Sequence, residues 1–379
     1  MNTVRLPDGR FELSGSGAEF IDPKGQFKSR VGYAAAHVVA DPRAENVPGA
    51  PPVVDWDATL AARRHLWSYG FGVAEAMDTA QRGMGLDYPQ ARELIHRSAA
   101  QAGGPICAGV ATDQLPPGPH PLDAIRAAYA EQLEDVQAAG AGPVLMCSRN
   151  LALSARGAGD YLDLYGRLLN DASAPVILHW LGPAFDPALA GYWGSGDPAR
   201  AADTVVELIA AHPSKVGGIK LSLLDHDFEV ALRRRLPAGV RLYTGDDFNY
   251  PALIRGDDHG HSDALLGVFA AIAPPAAAAL RALDNADFVA YDQILEPTVT
   301  LARHLFGRPT WFYKTGIVFL AWLAGRQDHF TMVAGAQSGR SPAHLAGLLR
   351  LADAAGLLPD AGLAAARARA FFTTAGVAQ

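Results

Sequence analysis

The sequence predicts an α/β protein, a (β/α)8 TIM barrel with a C-terminal helical extension. Three observations predict it. From Gly32 onward, short apolar runs of strand length alternate with longer amphipathic stretches; eight such units fit within about 240 residues; and the rhythm stops after Pro274.

The strand-like runs are 32–40, 70–77, 106–111, 143–147, 175–180, 216–222, 240–245 and 264–272. Runs that are apolar on both faces suit a parallel sheet covered by helices. Thr59–Tyr69, Tyr88–Gln101, Leu122–Ala139, Gly159–Asn170, Ala199–Ala211 and Asp227–Arg235 lie between them and carry apolar residues at helical spacing. A doubly wound sheet is the competing architecture. It would usually carry a glycine fingerprint such as GxGxxG after an early strand, and none is present. The polar segment 1–30 reads as an arm or short hairpin, 31–280 as the barrel, and the Ala- and Leu-rich segment 281–379 as a helical bundle.

Composition narrows the function classes. The 379 residues are 49% hydrophobic and 19% charged, as in an ordinary soluble globular chain. Lys+Arg 32 against Asp+Glu 39 gives a formal charge of −7, which argues against a nucleic-acid or anionic-membrane partner. Two cysteines, Cys107 and Cys147, make no disulfide framework and read as small core residues, so a cytoplasmic location is expected. No apolar signal core or bilayer-length run is found. An enzyme or a small-molecule binder remains.

In a barrel the active site lies at the C-terminal strand ends. The polar residues there are His37, Glu75, Asp78, Thr79, Ser148, Arg149, Asn150, His179, Trp180, Lys220, Ser222 and Asp246. Lys220 stands out because it follows the apolar GGI of VGGIKLSLLD. Burial disfavours an ammonium, and a neutral amine can attack a carbonyl to form a Schiff base. The plainer interpretation is a structural lysine paired with Asp246. The Asp257–Asp263 run, DDHGHSD, has metal-ligand residue types, but it precedes the eighth strand and so belongs at the opposite face.

The segments VGGIKLSLLD, RLYTGDDFNYPALIRG and LLGVFAAIAP, in that order, resemble the dihydrodipicolinate synthase / N-acetylneuraminate lyase superfamily of class I aldolases. AEAMDTAQRGMGLDYPQARELI is similar to that superfamily's Thr-Thr-Gly-Glu turn and following helix, and PVILHWLGP to its fifth strand. The likeness covers about residues 30 to 280. It implies that Lys220 is the Schiff-base lysine and Thr79 the second threonine of a carboxylate-binding turn. Two departures mark a divergent branch. The proton-relaying tyrosine after the fourth strand is replaced by Met146-Cys147-Ser148, and the first threonine of the turn is Asp78. An acid at position 78 would repel a pyruvate-like carboxylate.

The leading expectation is a lyase or aldolase acting through Lys220 on a small carbonyl compound, a keto acid or a sugar derivative, with no cofactor. His179 or Asp246 would move the proton. Asp78, Thr79, Ser148, Arg149, Asn150 and Ser222 would bind substrate, with Trp180 stacking on a sugar face. The second expectation is a divalent-metal lyase or isomerase using ligands from among His37, Glu75, Asp78, His179 and Asp246. The third is a non-catalytic sensor on the same scaffold. The apolar helix Ile317–Ala324, preceded by Phe312-Tyr313-Lys314, reads as packed across the barrel or at a subunit contact rather than as a substrate lid. A homodimer or homotetramer is expected.

Overall fold

The computed structural model describes residues 2–15 and 25–379. Its core is a closed barrel of eight parallel strands, β3 to β10, in sequential order. The strands are β3 (Gly32–Ala35), β4 (Gly72–Glu75), β5 (Ile106–Val110), β6 (Gly142–Leu145), β7 (Val176–Leu181), β8 (Val216–Ser222), β9 (Arg241–Thr244) and β10 (Asp263–Leu266). Pairing of Leu265 with Tyr33 closes the ring. Before the barrel, β1 (Thr3–Leu6) and β2 (Gly9–Glu12) form the expected hairpin. The rest of the arm, residues 16–24, lies outside the described residues.

Strand alternation sorts the side chains. Paired positions in adjacent parallel strands face the same way, so the pairs Ala74–Cys107, Val144–Ile177, His179–Lys220 and Lys220–Tyr243 define one continuous face. Ala35, Ala74, Cys107, Val144, Tyr243 and Leu265 pack together on it, filling the barrel interior. Residues of the opposite parity, among them Trp180, Leu221 and Glu75, face the surrounding helices. Those helices begin on side-chain caps. Asp55 accepts from Ala58 N at 3.0 Å and Asp225 from Phe228 N at 3.0 Å, each worth about 0.5–2 kcal/mol.

Several expected strands are shorter than their apolar runs. β3 stops at Ala35 although Val38, Val39 and Ala40 beyond it are buried, and β10 gives way to a 3-10 turn at Val268–Ala270. Val268, Phe269 and Ala270 are apolar because they join the core of the C-terminal helices, whereas Val38 and Ala40 pack with Val54, Ala76 and Leu86. Helices Phe288–Leu305, Tyr313–Leu323, Pro342–Ala354 and Ala361–Thr374 share one apolar core with Ala34, Ala264, Leu266 and Val268. The N-terminal hairpin docks on the last of them, where Arg369 Nη1 donates to Thr3 O at 2.7 Å.

The Asp257–Asp263 run lies at the N-terminal face, as its order required. Asp257 pairs with Arg233 and Arg234, and Asp263 with Arg241 at 2.6 Å. Among the described residues no helix is long and apolar enough to cross a membrane.

Candidate active site

Lys220 projects from the C-terminal half of β8 into the barrel, 7% exposed. Among the described residues its amine has no hydrogen-bond or ion-pair partner. Burial pushes its pKa down, opposed by the fields of Asp78 and Asp247. Gly245, after β9, makes room for its stem. A Cβ there would sit 2.9 Å from Lys220 Cε and 2.1 Å from Ser222 Oγ.

The amine opens into a small cavity at the C-terminal strand ends. Its polar walls come from two loops at the C-terminal strand ends and one helix beyond the barrel: Asp78 and Thr79 after β4, Asp247 after β9, and Tyr313. The β4 turn is held between two left-handed residues, Ala76 at φ 49° and Gln81 at φ 64°. Such strained backbone persists only where its surroundings fix it. Asp247 is buried, and its Oδ1 accepts from Val268 N at 2.9 Å. Burial lifts its pKa to about 7, against the Val268 bond and the Lys220 charge. Tyr313 opens helix Tyr313–Leu323, and its hydroxyl lies 2.9 Å from Thr79 Oγ1. Gly267 leaves space for that ring, since a Cβ there would lie 3.1 Å from Tyr313 Cε2. The phenol pKa is raised by burial and by Asp78, and lowered by the Thr79 bond.

Beside this cavity lies a larger one, sharing Asp78 and Leu181 with it. Arg149 lines it half-exposed, its Nε 2.6 Å from Asp186 Oδ2. His179 also lines it, buried, with Nε2 3.3 Å from Ser222 Oγ and Nδ1 unpartnered. Burial and the Lys220 charge push the imidazole pKa well down.

The structure thus brings together Lys220, Ser222, Asp78 and Thr79, with His179 and Arg149 at their edge. Two other expectations are corrected. Asp246 does not meet Lys220; its carboxylate accepts from Phe248 N, Asn249 N and Asn249 Nδ2 and holds its own turn. Trp180 has outward parity and meets Phe228 edge to face at 5.6 Å, away from both cavities. Ser148 and Asn150 line the larger cavity beside Arg149. There Ser148 Oγ also caps helix Arg149–Ser154 through Leu151 N and bonds Thr112, and Asn150 Nδ2 donates to the carbonyls of Pro116 and Gly118.

The metal set is corrected as well. Glu75 has outward parity and is held by Arg63 at 2.7 and 2.8 Å and by Ser98 Oγ at 2.6 Å. His37 bonds Gln327 and lines a separate cavity. Among the described residues no three His, Cys, Asp or Glu side chains come together as metal ligands.

Two residues hold positions at the cavity that the sequence did not assign as site residues. Asp247 was visible beside Asp246, and only the loop geometry distinguishes them. Tyr313 was visible in Phe312-Tyr313-Lys314, before a helix expected to pack across the barrel or at a subunit contact, but nothing local marks its hydroxyl as part of the site.

This is the barrel of the dihydrodipicolinate synthase fold. The chain matches the dihydrodipicolinate synthase from Cyanidioschyzon merolae with lysine bound at a TM-score of 0.66 and 16% identity, covering 87% of this chain and 100% of that one. It matches YagE, a prophage protein of the dihydrodipicolinic acid synthase family from E. coli K12 in complex with pyruvate, at 0.65 and 17%, covering 86% and 99%. It matches the synthase from Aquifex aeolicus at 0.64 and 14%, covering 87% and 99%. By sequence, the chain belongs to the family described as "Protein of unknown function (DUF993)", whose model matches residues 9–377. No curated protein matches it.

Proposed function

We propose that the protein is a Schiff-base lyase or aldolase acting on a small, sugar-derived carbonyl compound. The observation that carries this reading is the partnerless amine of Lys220, desolvated and facing a cavity. A structural lysine would have found a carboxylate, and a binding protein has no need of an unpaired buried amine.

In this reading Lys220 Nζ adds to the carbonyl carbon, and loss of water leaves a protonated imine. The imine accepts the electron pair of the bond between its neighbouring carbon and the next one, as the hydroxyl on that farther carbon loses its proton and the fragment departs as an aldehyde; alternatively it accepts the pair left when a proton leaves the neighbouring carbon. The resulting enamine is reprotonated, and water then releases the product and restores the amine. Asp247, with its pKa near neutrality, and Tyr313, bonded through Thr79, are the groups placed to take and return the proton. Tyr313 thus supplies, from another part of the chain, the phenol absent after β6.

The charge around the amine favours a neutral substrate head. Asp78 and Asp247 line the small cavity with the hydroxyls of Thr79, Ser222 and Tyr313, and Lys220 is the one cation among its lining residues. Two carboxylates oppose a 2-oxo acid and suit the hydroxyls of a polyol. Arg149, at the larger cavity, suits an anionic far end such as a phosphate. We further expect a homodimer or homotetramer in the cytoplasm, the former to be checked by light scattering.

The test is borohydride reduction in the presence of sugar-derived aldehydes and ketones, with pyruvate as comparison, followed by peptide mass mapping. Adduct on Lys220 with a polyol carbonyl is expected. Lys314 is the internal control: burial pushes its pKa to about 8, but its amine donates to Trp311 O at 3.1 Å and does not line the cavity. Adduct spread equally over Lys314 and surface lysines would overturn the reading.

A further inference from the structure

A third cavity lies outside the barrel, between helix Trp56–Ser68 and the turn that follows helix Tyr313–Leu323. Its polar lining consists of His37, His65 and Arg326. Ala36, Ala61, Ala62 and Ala270 line the remainder together with Leu66, so small side chains have left room where larger ones would have closed the gap.

Arg326 is set there by a firmly held backbone. Gly325 takes φ 76°, and Arg326 N donates to Ala321 O at 2.9 Å. The next residue, Gln327, is anchored by His37 at 3.0 Å, by its own bond to His329 O at 2.7 Å, and by Arg367 Nη1 on its carbonyl at 2.7 Å. The guanidinium carried by this turn meets nothing: among the described residues it has no hydrogen bond and no ion pair. The guanidinium keeps partial solvent contact, and its five donors are free to take a carboxylate. His65 lines the same cavity. The His65 ring has no hydrogen-bond partner, and its Nε2 has no solvent contact. Burial and the Arg326 charge hold that imidazole neutral, down to about 3.

From the unpaired guanidinium, the unpartnered imidazole and the alanine-lined space between them, we infer that this cavity binds a small aliphatic carboxylate. The carboxylate would lie against Arg326, whose planar fork matches its two oxygens, and its short alkyl body would lie on the alanines and Leu66. The site is distinct from that of Lys220. The two cavities share no lining residue, though Ala270 of the one lies three positions beyond Gly267 of the other.

Calorimetric titration of the full-length protein at constant ionic strength tests this, with acetate, propionate and butyrate as probes, inorganic phosphate as the competing anion and propylamine as the cationic control. The carboxylates are expected to bind with one site per chain, tightening about fourfold per added methylene, while propylamine gives no heat. Arg326→Gln is expected to weaken butyrate by roughly tenfold or more. Ala62→Leu, which keeps the guanidinium and fills the space, should weaken butyrate more than acetate. Absence of carboxylate binding to the wild-type protein, binding unchanged in Arg326→Gln, or phosphate binding in place of the carboxylates would each overturn the proposal.

Discussion

Tyr313 and Thr79, 234 positions apart in sequence, share a hydrogen bond of 2.9 Å at the roof of the cavity that Lys220 enters. The bond joins the C-terminal extension to the turn after the second barrel strand. It puts a phenol where the barrel's own loops supply none.

Removing that phenol separates chemistry from folding. Tyr313→Phe loses one buried hydrogen bond, a cost of about 1 kcal/mol. Loss of a proton-transfer group slows turnover by about 10²–10⁴-fold. Turnover of the carbonyl substrate should fall within that range, while borohydride still traps the imine on Lys220 and the urea midpoint shifts little. An unchanged rate would remove Tyr313 from the mechanism.

Gly245 permits the lysine's position. In Gly245→Ala the new methyl would meet Ser222 Oγ at 2.1 Å and Leu221 O at 2.9 Å, so strand or side chain must shift. Overpacking of this kind costs about 1–3 kcal/mol. Lys220 should lose its borohydride reactivity in protein that still melts cooperatively. Full reactivity in Gly245→Ala would show that the stem has another route.

Glu75 is structural. Glu75→Ala leaves the Arg63 guanidinium buried and unpaired, which costs about 3–5 kcal/mol. Arg63→Met in the same chain should restore part of that loss. Urea denaturation of the single and double variants measures both, and a single variant as stable as the parent would sink this assignment.

Two buried acids tie stability to pH. Burial lifts Glu229 to about 8 and Asp247 to about 7, whereas in the unfolded chain both ionise near pH 4. Between those limits the folded state holds protons that the unfolded state has released. Their contribution therefore falls as pH rises from about 4 to about 8 and is constant above. Glu229→Gln, which keeps the bonds to Ser262 and Thr244, should lose less stability across that range than the parent. Denaturation midpoints at a series of pH values read the difference, and parallel curves would contradict the raised pKa.

The β/α rhythm was legible because parallel strands must be apolar on both faces, and Lys220 was legible because a lysine inside such a strand is anomalous. Parity was also written in the chain. Glu75 follows Val73 by two and Trp180 precedes the strand's inward-facing Leu181 by one, so both could have been assigned to the outer face. What local sequence does not carry is the destination of loops and long-range partners. Asp246 and Asp247 are identical in type and adjacent. One closes its own turn and the other faces the lysine, and a single residue of register in the loop decides which. The alanines around Arg326 read simply as helix formers, and only their assembly shows the space they leave.

The placement of Tyr313 bears on the order in which the protein is made. In the proposed mechanism, a chain shortened before helix Tyr313–Leu323 would carry the amine of Lys220 without the phenol that returns the proton. Competence for turnover would then arrive only with the last quarter of translation, and a shortened protein would act as a carbonyl trap rather than a slow enzyme.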